Sequence, residues 1–63
     1  MEAITPVSIS VESEDLALLK ELLDSERDRL LVEIRHTDHR NFRDQLRRRL
    51  TVVERLMEHC RQI

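Results

Sequence analysis

The chain has 63 residues, enough for one small domain and near the lower limit at which a domain folds alone. It contains no glycine, one proline (Pro6), one aromatic residue (Phe42) and 38% charged residues, which argues against a sheet-rich or α/β domain and for exposed helices or coiled coils. A net charge of −2 leaves no bulk attraction to nucleic acid or to an anionic lipid surface.

Residues 1–12 read MEAITPVSISVE, and from Val7 the apolar Val7, Ile9 and Val11 alternate with Ser8, Ser10 and Glu12. This period of two predicts an extended N-terminal arm, either a strand paired with its copy in a dimer or a segment pressed on the helices that follow. Pro6 marks its upstream limit, because proline cannot donate to a ladder.

The next segment, 13–63, reads as a helical hairpin. Helix 1 is expected over about 13–36, with Ser13 as N-cap and Glu14 and Asp15 in a first turn that favours negative charge. Its main stripe is Leu16, Leu19, Leu23, Leu30 and Ile34. Leu18, Leu22, Leu31 and Val32 widen the apolar surface beyond what one partner helix covers. Glu26 takes the seam position opposite Leu50, with Arg27 beside it. The favoured reading is that both extend their heads from the edge of the stripe; the other is a polar layer with Arg49 that sets register.

The run Arg35 to Asn41, RHTDHRN, has no aliphatic or aromatic residue and separates the two striped segments. The turn is expected over about 36–39, with Thr37 or Asp38 capping helix 2, which then runs over about 38–61. The seam of helix 2 is Phe42, Leu46, Leu50, Val53, Met57 and Cys60, widened by Val52, Leu56 and Ile63. Leu16 with Cys60, Leu19 with Met57, Leu23 with Val53, Leu30 with Leu46 and Ile34 with Phe42 all have position numbers summing to 76, as an antiparallel hairpin requires. A single unbroken helix would instead carry the helix 1 phase onto Asp44, Thr51 and Glu58.

Charge supports the same pairing. Residues 1–33 hold nine acids and three bases, whereas residues 34–63 hold four acids and eight bases, so the two helices attract modestly when antiparallel. One hairpin of this size buries little for the number of residues it orders, and a second copy is the simplest supplement. The expected fold is therefore all-α, an antiparallel two-helix hairpin with an extended arm, assembled as a homo-oligomeric four-helix bundle.

Few residues resemble a chemical site. His36 and His39 flank Asp38 at the turn, but His59 and Cys60 belong at the opposite end, which leaves too few ligands for a structural metal site and favours a solvated turn. Arg47, Arg48 and Arg49, with Arg40 and Arg43, form the one basic cluster; successive helical residues diverge, so a solvated face paired with helix 1 is favoured over a phosphate-binding patch. No phosphate-binding glycine loop or nucleophile motif is present, and a two-helix chain offers no obvious pocket, so no catalytic residue, cofactor or metal is expected. Cys60 is the lone cysteine, no stretch approaches the roughly 20 apolar residues of a membrane span, and the N-terminus lacks the pattern of a signal peptide. A cytoplasmic protein without a membrane partner is expected.

The stretch EIRHTDHRNFRDQLRRRLTVVERLM carries Glu33, Ile34, Thr37, Asp38, Phe42 and Arg43 in an E-I-x-x-T-D-x-x-x-F-R turn. In this it resembles a set of short, uncharacterised bacterial proteins with a Leu-rich helix, that turn and a second charged helix, over roughly Leu16 to Met57. The resemblance implies a helical hairpin and carries no assigned activity. In such a hairpin Ile34 against Phe42 would close the turn.

The function expected is a small non-enzymatic scaffold or interaction module that contacts itself, or a different protein, through Leu18, Leu22, Val32, Val52 and Leu56. The order strand, helix, helix also supports an alternative, a dimeric DNA-binding regulator of ribbon-helix-helix-like order. Against it, the outward residues of the strand would be Ser8, Ser10 and Glu12, with no base nearby and no glycine in the turn.

Overall fold

The structure, a computed structural model, describes residues 8–62; Pro6, Val7 and Ile63, to which the sequence assigns places in the arm and on helix 2, lie outside the described residues. Two helices, α1 (Ser13–His36) and α2 (Arg40–Arg61), form an antiparallel hairpin. No strand occurs among the described residues, and 8–12 have no regular secondary structure.

Helix α1 has neither glycine nor proline inside it and is laced along its surface by ion pairs at helical spacing. Arg27 reaches Asp24 at 3.3 Å, and Arg29 reaches Glu33 at 2.7 Å. Each exposed pair contributes only a few tenths of a kcal/mol. Helix α2 has one such pair, Arg61 with Glu58 at 3.2 Å, and depends more on its seam.

The bounds of α1 and the end of α2 fall where the sequence places them, whereas α2 starts two residues later than expected and both N-caps shift by one or two residues, within the range over which termini fray. Glu12, not Ser13, is the N-cap of α1, with its carbonyl accepting from the Leu16 amide at 2.8 Å. His39, not Thr37 or Asp38, is the N-cap of α2, with its carbonyl accepting from the Arg43 amide at 2.8 Å. Neither cap residue makes a side-chain cap bond, so the first-turn amides are left to solvent. Glu14 and Asp15 still place negative charge at the start of α1.

Thr37, Asp38 and His39 reverse the chain without a glycine. Thr37 (φ −92°, ψ 136°) and His39 (φ −81°, ψ 115°) are both extended, and no described residue has positive φ. The reversal therefore uses backbone regions open to any L-residue. Arg43 reaches back from α2, its guanidinium donating to the Thr37 carbonyl at 2.8 Å. That bond ties the end of α1 to the first turn of α2 and satisfies a carbonyl that the helix end would leave bare.

The core is one line of side chains between the helices. Leu23, Leu30, Leu46, Val53 and Cys60 are buried, and Leu30 has no exposed surface. Leu16, Ile34, Leu50 and Met57 pack half-buried against this line. Two expected seam residues behave otherwise: Leu19 stays exposed at the edge, and Phe42 is 49% exposed. At the turn it is Arg43, half-buried, that takes the inner position. Phe42 thus lies on the rim, and the turn is tied by the Arg43 bond to the Thr37 carbonyl.

Candidate interaction surface

A hairpin has two broad faces, one on each side of its seam. With about 100° per residue, Leu19, Leu22, Glu26 and Glu33 of α1 fall on the same side as Arg49, Val52, Leu56 and His59 of α2. Lys20, Asp24 and Arg27 fall on the other side with Glu54, Met57 and Arg61. The surface recesses follow this division. One is lined by Leu19, Leu23, Leu56, His59 and Cys60 together with Ile9 and Val11 of the arm, and others by Lys20, Asp24, Arg27, Glu54, Met57 and Arg61.

The first face, containing Leu22 and Leu56, changes character along its length. At the open end, where α1 starts and α2 finishes, it is aliphatic. Leu22 is 59% and Leu56 43% exposed, and Leu18, Leu19 and Val52 are exposed beside them. Val11 of the arm is half-buried there, while Ile9 is 78% exposed. Ile9 and Val11 of the arm help to line a recess of about 240 Å³ at this end of the hairpin.

Towards the turn the same face is charged. Arg29 donates to both carboxylate oxygens of Glu26, at 2.8 and 2.7 Å, and to Glu33 at 2.7 Å. Arg49 donates to Glu26 from the other helix at 2.5 Å. Glu26 and Arg49 thus bond across the two helices, as a polar layer requires, while the bond itself stays at the surface, as heads extending from the edge of the stripe would. The cause is spacing, because Arg29 and Arg49 reach the carboxylate from two directions while its stem stays on the seam. Hydrogen bonds from Arg29, and then from Arg49, hold the Glu26 carboxyl well below its usual range, at about 2. The same contacts raise the pKa of Arg29 above its ordinary value. Glu26 and Glu33 balance Arg29 and Arg49, so the layer carries no net charge.

Arg27 lies across the seam from this layer, half-buried with Met57 and Glu54 nearby, and its Nε is buried without a hydrogen-bond partner. Its other contacts, to Asp24 and Asp28, are at the surface. Arg43 likewise has a buried Nε without a partner.

Of the five residues expected at an interface, Leu18, Leu22, Val52 and Leu56 lie on or beside the open end of the first face. Val32 is exposed but sits half a turn away from Leu23, on the back of α1, and does not join them. Reading the sequence missed the arm recess, the role of Arg43 at the turn and the place of Arg29 between two carboxylates. The last was legible in the Glu26, Arg29, Glu33 spacing.

The chemistry-like groups do not converge. No three or more His, Cys, Asp or Glu side chains cluster so as to hold a metal among the described residues, and none of the described helices is long and apolar enough to cross a membrane. Cys60 is a buried free thiol in the seam. The chain matches no protein-family model, no curated protein and no solved structure. The first face must be interpreted from its own residues.

Proposed function

We propose that the chain is a small non-enzymatic scaffold or interaction module of the cytoplasm that works as a homo-oligomer. The observation that carries this reading is the open end of the first face, where Leu18, Leu19, Leu22, Val52 and Leu56 are exposed together beside a core of five buried side chains among the described residues. Singly exposed leucines are ordinary, whereas a contiguous group of them marks a contact surface. A lone cysteine, unpaired and buried, fits a reducing compartment.

The test is absolute mass by light scattering on a sizing column across a wide concentration range, for the native chain and for Leu22→Arg with Leu56→Arg. The native chain is expected at twice its 7.6 kDa or a higher multiple, and the double variant at a lower mass. A native chain that stays monomeric at every concentration would overturn self-association and turn the search to a different protein. A titration on mixed-sequence duplex DNA at low salt separates the scaffold from the ribbon-reading alternative, since phosphate-driven affinity is greatest there. No binding is expected, and saturable binding weakened by Ser8 and Ser10 substitutions would favour the alternative.

A further inference from the structure

Resting on that reading, we propose that a second copy of this chain covers the first face with the dimer two-fold axis parallel to the helices. Both turns then lie at the same end, and each α1 packs on the partner copy's α2. Two hairpins stacked face to face have two simple two-fold arrangements, because an isologous contact uses the same patch on both copies. With the axis along the helices, α1 lies over the α2 of the other copy and open end meets open end. With the axis across them, α1 lies over α1, and complete overlap sets each open end on the other copy's turn end.

Two independent features of the molecule select the first arrangement. One is the lengthwise division of the face. Same-end stacking puts Leu22 over the partner's Leu56 and Val52, and puts the neutral Glu26–Arg49 layer over its own copy. Opposite-end stacking lays exposed leucines on that charged layer and leaves its polar groups to be desolvated against hydrocarbon, which is costly. The other feature is charge between the helices. Within Ser13–His36 there are seven acids and four bases, and within Arg40–Arg61 three acids and seven bases. Same-end stacking sets the acidic helix on the basic one in both places, whereas opposite-end stacking sets like on like. The Arg29 and Arg49 guanidinium groups, both partly exposed, keep donors free to meet the partner's Glu26 and Glu33.

The arrangement is tested on the full chain by distances between paired spin labels. Asp38→Cys at the turn and Ser13→Cys at the start of α1 are both exposed sites, made in a Cys60→Ala background so that each chain carries one thiol. Asn41→Cys, also exposed, gives an independent reading of the turn end. Circular dichroism checks that each variant keeps its helices. Stacked helices lie about 10 Å apart, so label separations below about 25 Å are expected at both ends. Helix α1 has 24 residues, about 36 Å at 1.5 Å rise, so opposite-end stacking sets the turn labels about 35 Å apart or more. Long turn distances in a sample of dimer mass overturn this arrangement while leaving the scaffold reading in place. In that case a short Ser13 distance means overlap at the open ends only, and a long one means full opposite-end overlap. A monomeric mass overturns both.

Discussion

Towards the turn, Leu30 has no exposed surface, Arg43 bonds the Thr37 carbonyl, and the Glu26 carboxylate is held by arginines from both helices. Towards the open end, Leu23, Val53 and Cys60 are buried too, if less completely than Leu30, yet Leu19, Leu22 and Leu56 beside them are exposed and Ile9 of the arm covers little. Beside the seam residues Leu30 and Glu26, the turn half is completed by its own chain, although Leu31, Val32 and Phe42 are also exposed in that half; the open half has more apolar surface beside its seam than the chain can cover. The difference follows from what each half places beside the seam. Charged side chains are satisfied by one another and by water, whereas leucines are satisfied only by a further apolar surface.

The comparison is broken most strongly by Leu30→Ala. Removing the fully buried side chain should cost about 2 to 5 kcal/mol, a large share of the stability of so small a domain. Thermal unfolding followed by circular dichroism should show a marked fall in Tm, and a change of a degree or two would mean that the turn half is not the completed one.

A sharper contrast comes from adjacent leucines at the open end. Leu23→Ala, which removes a buried side chain, should lower stability by about 2 kcal/mol or more at any concentration. Leu22→Ala removes an exposed one and should leave the isolated hairpin within about 0.5 kcal/mol, while shifting the mass measured at low concentration downward. Equal effects of the two on mass and on unfolding would remove the distinction between core and contact face.

The polar layer has a pH signature. The folded-state pKa of Glu26, about 2, lies below its ordinary value of 4.5. The unfolded chain therefore binds the proton more readily between these values, and stability rises with pH across that window. The contribution is present in full above about pH 4.5 and is lost as pH falls through about 2. Urea unfolding of Glu26→Gln at several pH values should show a shallower acid dependence than the native chain, and identical slopes would mean that the layer is not formed in solution. A changed oligomeric mass in Glu26→Leu would assign the layer a role in register.

Smaller effects are expected at the ends of the comparison. Arg43→Ala loses the bond to the Thr37 carbonyl and should cost about 1 kcal/mol, read from the unfolding midpoint in urea. Thr51→Ala, which removes an exposed hydroxyl bonded to the Arg47 carbonyl one turn back, should be neutral or stabilising by a few tenths of a kcal/mol.

What the sequence determined by itself was the helical content, the place of the reversal and the inner line of the seam. These follow from short-range rules: no internal glycine or proline breaks either helix, RHTDHRN interrupts the apolar stripe, and Leu23, Leu30, Leu46, Val53 and Cys60 recur at helical spacing. Only the tertiary structure decided what sits at the rim. Leu19 and Phe42 share the seam's periodicity with Leu23 and Leu46, but their exposure depends on what the facing helix presents at that height and on how tightly three link residues draw the helices together. Glu26 was at the right position to reach Arg49, and the choice between a solvated head and a bonded one required both helices in place, with Arg29 holding the carboxylate from behind. The arm's alternating pattern left two partners open, a copy of itself or the helices that follow, because period two says which residues share a side and nothing about what that side meets; the structure sets Ile9 and Val11 at the recess between the helices.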